Sequence, residues 1–287
     1  MKCLIAIVVA ATCLSAAAMA QRDSSASRET LYHTTPVDAS GKVVHVDRPV
    51  ARFSKIAFRT MGKLTVNQGA ATGVVSMDVD EAWASITETV VEEDRLVVRY
   101  KKPYYARCWT EGGLLGRFKS RDNCKTDISI TTEDLVDINL SGPGDIVMGE
   151  GQFASENLFI KIAGPGDISQ NQAVSGQLTV QFSGPGNLRL SGRAPKAHYT
   201  VHGPGTVKAP DFVTSDTKVS AFGPANLRVH AQNSLRGSIF GPGEVVYGGD
   251  PKTVDVKTQW LGSVRSATEV GTGRRRGRMP FLQGLFA

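Results

Sequence analysis

The sequence predicts an all-β chain wound as a parallel β-helix, a solenoid with coils of about 20 residues. Three observations predict it. A Gly-Pro-Gly tripeptide, or a close variant, recurs six times at near-constant spacing. The residues on both sides of each copy alternate apolar and polar with period two, the mark of a half-buried strand. Gly 30 and Pro 13 in 287 residues supply many turns, while 41% hydrophobic and 21% charged residues exclude a disordered chain.

The N-terminus reads as an export signal. Lys2 gives a positive start, Leu4 to Leu14 an apolar run, and Ala18-Met19-Ala20 a small-residue cleavage site, with Gln21 the first mature residue. The run is shorter than the roughly 20 residues that span a bilayer. Ala10-Ala11-Thr12 before Cys13 is a poor lipoprotein signal. The expected divisions are a signal peptide (1–20), an N-terminal extension (21–52), a solenoid domain (53–250) and a C-terminal segment with a basic, disordered tail (251–287).

Cys3 and Cys13 leave with the signal, so the exported chain keeps Cys108 and Cys124. One pair in an oxidising compartment reads as a disulfide. It would close a loop of 17 residues containing Gly112, Gly113 and Gly116. The chain-entropy estimate for such a loop is about 3 kcal/mol. The spacing fits neither a C-x-x-C redox pair nor a zinc site.

The repeats follow: Gly142-Pro143-Gly144, Gly164-Pro165-Gly166, Gly184-Pro185-Gly186, Gly203-Pro204-Gly205, Gly223-Pro224-Ala225 and Gly241-Pro242-Gly243, at steps of 22, 20, 19, 20 and 18. Two, four and six residues before the first Gly stand apolar sets such as Ile162, Ile160, Leu158 and Phe182, Val180, Leu178. Two residues after the third turn residue stand Ile146, Ile168, Leu188, Val207, Leu227 and Val245. Pro suits the second position of a β-turn, and a following Gly accepts the positive φ of a type II turn. Ala225 resists positive φ, so its turn is expected to be type I or strained. A meander or propeller is the competing architecture, but its hairpins prefer Asn-Gly or Asp-Gly.

Coils of the type Ser-Gly-Pro-Gly-Asp-Ile resemble the Ser-Gly-Ser-Gly repeats of the GIN domain family, described as the head of auto-transporter adhesins. The segments 63–69, 76–80 and 94–98 are similar to that family's opening strands. The resemblance implies a right-handed β-helix in an exported bacterial protein. It says little about activity. This chain departs by its Pro and by the Cys108–Cys124 insertion, and no translocator barrel is expected in it.

Candidate sites are weighed in the same order. Asp145, Asp167, Asn187, Thr206, Asn226 and Glu244 follow the turns and would stack as a polar ladder. A cation or sugar could use such a ladder, but Asp and Asn there ordinarily satisfy local backbone groups. His198 and His202 share a strand face about 13 Å apart, too far for one metal. The outward row Asn139, Lys161, Gln181, Thr200, Ser220 and Ser238 is mostly uncharged and shows no catalytic cluster. No catalytic or cofactor motif is present.

The net charge is +6. The last 17 residues hold Arg274, Arg275, Arg276 and Arg278 with no acid, and residues 21–270 sum to about +1. That tail, with Phe281, Leu282, Leu285 and Phe286, suits anionic lipid. The expected function is a non-catalytic envelope binding or structural module, adhesin-like, with a glycan, an envelope protein or anionic lipid as partner and no nucleic acid. The alternative is a carbohydrate-active β-helix enzyme, which would gather charged residues in one groove.

Overall fold

The computed structural model describes residues 34–70, 72–110, 119–120, 126–149, 154–171 and 173–268. The signal segment, Cys124 and the Arg-rich tail lie outside the described residues.

The chain first lays down β1 (Thr35–Asp38), β2 (Val43–Pro49), β3 (Lys55–Phe58), β4 (Lys63–Gln68) and β5 (Val74–Asp80). A one-turn helix, α1 (Glu81–Ala84), leads into β6 (Thr87–Glu92), β7 (Arg95–Tyr100), β8 (Tyr104–Arg107), β9 (Trp109–Thr110), β10 (Lys119–Ser120) and β11 (Thr126–Thr132). The repeats then give β12 (Asp137–Leu140), β13 (Asp145–Met148), β14 (Ala154–Ala163), β15 (Ile168–Gln170), β16 (Ala173–Ser183), β17 (Asn187–His202), β18 (Thr206–Phe222), β19 (Asn226–Phe240), β20 (Glu244–Gly248), β21 (Thr253–Gln259) and β22 (Ser263–Ser266).

Strands before each corner make one sheet, and strands after it make a second. In the first sheet Ile138 pairs in parallel with Ile160, Ile160 with Val180, Val180 with Tyr199, Tyr199 with Val219, and Val219 with Gly237. In the second, Ile146 pairs with Ile168, Ile168 with Leu188, Leu188 with Val207, Val207 with Leu227, and Leu227 with Val245. No hairpin forms at a Gly-Pro corner, so the meander alternative fails and the chain is a parallel β-helix.

The period-two reading sets the core. Ile160, Ile162, Val180, Phe182, Val201, Leu188 and Val207 are fully buried, and the outward row between them is not. Each coil therefore buries its apolar set against the coils above and below, as solenoid stacking requires.

The stack extends one corner past the repeats at each end. Leu140 pairs with Phe58 and Asp145 with Lys63, so Thr60-Met61-Gly62 takes the place of a Gly-Pro-Gly corner. Phe240 pairs with Gln259 and Glu244 with Ser263, so Trp260-Leu261-Gly262 does the same. Beyond the first corner one more parallel layer follows, β7 on β3 and β11 on β4, and past it the mode of pairing changes. β5 runs antiparallel to β11 and β2, and β6 antiparallel to β7. These strands bury Trp83 from α1, whose indole N–H donates to the Val37 carbonyl.

The corner chemistry corrects one expectation. Positive φ falls on the first glycine, at Gly184, Gly203, Gly223 and Gly241, and on none of the second glycines. The corners are therefore not type II turns with Gly at the third position. The second residue of each pair faces inward instead and is buried. A Cβ on Gly166 would fall 1.9 Å from the carbonyl oxygen of Gly144, one coil away. At Gly166, Gly186 and Gly243 the backbone of the neighbouring coil lies that close, and at Gly205 the Phe182 ring does. Ala225 is fully buried with no positive φ, so its corner is not strained at that residue.

Candidate binding surface

Four features are built on this frame: a polar ladder, two outward sheet faces, an open groove and an aromatic ridge.

The ladder beside the corners is partly structural. The backbone N–H of Asp167 donates to the Asp145 carboxylate at 2.8 Å, and that of Asn187 to the Asp167 carboxylate at 2.6 Å. The Asn187 amide also donates to Asp167. The expected role, satisfying backbone groups, is right in kind, but the groups satisfied lie one coil away rather than in the same turn. From Thr206 onward the same N–H groups donate to backbone carbonyls, of Gly186, Gly205, Ala225 and Gly243 in turn. Among the described residues no three of His, Cys, Asp and Glu gather in a metal-binding arrangement.

The outward row of the first sheet is in register as spaced: Asn139, Lys161, Gln181, Thr200, Ser220 and Ser238, ending at Lys257. The second sheet carries a different outward row: Ser169, Arg189, Lys208, Arg228, Val246 and Arg265. Arg189 lies 3.6 Å from Asp167 and Arg265 lies 3.4 Å from Glu244. Burial and the charge of Lys218, its register neighbour, lower the pKa of His198 below the ordinary value.

Charge is also sorted along the sequence. Residues 187–268 hold ten Lys or Arg and five Asp or Glu, while residues 33–186 hold sixteen against nineteen. The near-neutral total for the body thus hides a basic C-terminal half and a mildly acidic N-terminal half.

A groove of about 910 Å³ opens on the third side of the coil, where the register shifts between Arg189 and Ser191 and between Lys208 and Val213. Arg193 and Asp211 are its charged lining residues, beside Val174, Pro195, Val213 and Gln232. One cation and one carboxylate do not make the convergent cluster that a β-helix polysaccharide enzyme needs.

The ridge is the feature that sequence reasoning missed. His202, Phe222 and Phe240 occupy one register position, just before the first glycine of successive corners. The His202 and Phe222 rings stack, with centroids 4.8 Å apart and planes 5° apart. Phe240 meets Trp260 at 6.1 Å and 59°. Phe222 is 42% exposed, Phe240 46%, Trp260 82% and Leu261 83%. Tabulating the residue before each corner would have exposed the column.

Cys108 is half-buried and packs against the core. Its expected partner Cys124 lies outside the described residues.

The fold and its surface define a class: a parallel β-solenoid that offers solvent long register-matched rows of side chains. The family described as "Putative auto-transporter adhesin, head GIN domain" matches residues 52–251. The chain belongs to that family. Solved structures share the fold. A crystal structure of a putative adhesin from Bacteroides fragilis superposes with a TM-score of 0.67 at 22% identity, covering 80% of this chain and 99% of that one. A putative lipid binding protein from Parabacteroides distasonis gives 0.55 at 19% identity, covering 81% and 100%. A putative adhesin from Parabacteroides merdae gives 0.52 at 17% identity, covering 81% and 99%. No curated protein matches the chain.

Proposed function

We propose that the chain is an exported, non-catalytic binding or structural module of the bacterial cell envelope, acting as an adhesin-like head. The observation that carries this reading is the pair of solvent-facing sheets, whose outward side chains stay in register over successive coils. Such faces suit an extended partner, met by many weak contacts in a row. Membership of a family described as an adhesin head supports the same reading.

Export rests on Lys2, the 4–14 apolar run and Ala18-Met19-Ala20, with cleavage before Gln21. The Cys108–Cys124 disulfide belongs to the same proposal. The solenoid unit takes in residues 53–250, and β21 and β22 continue its stacking. A glycan, an envelope protein or anionic lipid is the class of partner. One solved relative is named a lipid binding protein, in keeping with the last of these.

The test combines cell fractionation with a glycan array and a pull-down using the mature chain. Recovery in the periplasm or on the surface, with a saturable partner and no turnover, is the expected result. A cytoplasmic location, or cleavage of any polysaccharide by the purified protein, overturns the reading.

A further inference from the structure

We propose that the last corner of the solenoid, Trp260-Leu261 with Phe240 and Phe222 behind it, is a docking tip for an anionic lipid surface. This rests on the binding-module reading and names the partner of one part of its surface.

The last corner breaks a local rule that the other corners keep. At the corners of Gly184, Gly203, Gly223 and Gly241 the residue with positive φ is glycine. The last corner puts Trp260 there, at φ +65°. A bulky L-residue in that region is strained. The next position, Pro at the other Gly-Pro corners, is Leu261. Packing offers little to offset this strain: Trp260 touches only the tilted Phe240 ring among the described ring contacts, and both residues stand more than four-fifths exposed. Local rules fail in this way where a surface is used rather than where a core is packed.

The surroundings select the partner. Facing solvent on the two sheets that flank the ridge over the last three corners are Lys218, Arg236, Lys257, Arg228 and Arg265, against Asp216, Asp255 and Glu244. An apolar tip of Trp and Leu between rows of cations matches a bilayer interface, with indole at the headgroup level and cations on the phosphates. In the sequence, Arg274, Arg275, Arg276 and Arg278 follow the last described residue, 268, within ten residues.

Two other occupants fit less well. A sugar ring stacks on an open aromatic face, but His202 and Phe222 turn their faces on each other. A second copy, ridge against ridge, would bring like-charged rows together.

The experiment is vesicle co-sedimentation of the mature chain, together with its tryptophan emission. The vesicles are phosphatidylcholine alone and phosphatidylcholine with phosphatidylglycerol. The deciding variant is W260G/L261P, which rebuilds the Gly-Pro-Gly corner and so relieves strain; its melting temperature is expected to equal or exceed wild type. The expected result is salt-sensitive binding to the anionic vesicles, a blue shift of emission, and affinity at least about tenfold weaker in the variant. Deleting residues 269–287 is expected to weaken binding without abolishing it.

Equal binding by wild type and W260G/L261P would assign the lipid to the tail and overturn the proposal. So would no binding, indifference to phosphatidylglycerol, or a dimer in ultracentrifugation that the variant abolishes. An exported chain that captures a glycan but ignores vesicles would sink this inference alone. A cytoplasmic chain whose corner still binds vesicles would sink the broader reading alone.

Discussion

Two glycines of the corners are held for different reasons, and one substitution at each separates them. A Cβ on Gly166 would sit 1.9 Å from the Gly144 carbonyl oxygen and 2.9 Å from Leu140 Cδ2. Ordinary contact begins near 3.4 Å, so the two coils must part by more than an ångström at that point. The atom in the way is backbone, held between ladder bonds on both sides, and it cannot swing aside. Overpacking of this kind costs about 1–3 kcal/mol when side chains absorb it, and more when a backbone must move. We expect Gly166→Ala to cost about 3 kcal/mol or more on that scale. Gly203 has φ +93°, but a Cβ there meets nothing nearer than 3.9 Å. Gly203→Ala costs only the backbone strain, about 1–2 kcal/mol.

Ala225 is the internal control. It is fully buried and has no positive φ, so Ala225→Gly removes a buried methyl and adds unfolded-state freedom. Together these cost about 1 kcal/mol. Urea unfolding of the three variants beside wild type, followed by far-ultraviolet circular dichroism, gives the order Gly166→Ala, then Gly203→Ala and Ala225→Gly. If Gly203→Ala proves the more damaging of the two Gly→Ala changes, φ rather than close approach governs the corners and the argument fails.

Other expectations follow from buried polar groups and from the cysteines. Gln170 is 2% exposed, and neither atom of its amide has a hydrogen-bond partner among the described residues; Gln170→Met, close in volume, is expected to raise stability by about 1–2 kcal/mol in the same denaturation assay. Asp80 is buried. Burial alone would raise its pKa, yet the N–H groups of Ser40, Gly41 and Ala82 and the Ser40 hydroxyl outweigh it and hold the value below the usual carboxylate range. Its contribution is therefore complete above about pH 4 and lost as the pH falls through the depressed folded value. Asp80→Asn should lower the melting temperature at neutral pH, with the gap to wild type closing in acid; a gap that stays constant contradicts it. For Cys108 and Cys124, intact mass after alkylation should change only when reductant precedes the reagent, and two thiols that react without reduction contradict the pairing.

The six corners, the inward rows and the solenoid itself were legible because they rest on local chemistry. Period-two alternation fixes which residues of a strand can face a core, and Leu158, Ile160 and Ile162 needed no partner to be read. The φ values were misjudged because the sequence does not show how closely Gly166 approaches Gly144. The first and last corners were not legible because they lack the Gly-Pro identity of the repeats. Thr60-Met61-Gly62 and Trp260-Leu261-Gly262 keep the place of the turn without its Gly-Pro. The antiparallel pairing of β2, β5 and β6 depends on contacts between distant segments, which no local pattern encodes. The ridge and the charge gradient were hidden by averaging. Phe222 and Phe240 lie 18 residues apart, and the acid excess before residue 187 cancels most of the basic excess after it.

The two ends of the stack solve the edge problem differently, and the difference gives the molecule a direction. An open strand edge invites another chain unless it is covered, shortened or charged. At the N-terminal end β2 and β6 cross over to antiparallel pairing and bury Trp83, which breaks the parallel register that a further coil would need. At the C-terminal end β21 and β22 pair, among the described residues, only with the coil before them. Val254, on the inward row of β21, is 43% exposed, and among the described residues no further coil covers it. Lys257 and Arg265 place charge on these last strands, one device for discouraging a second copy. The same end carries the exposed Trp260 and the basic half of the gradient. With the docking proposed above, this asymmetry gives the solenoid one orientation on an anionic surface: the C-terminal corner turned toward the surface, and the outward rows running away from it along the axis.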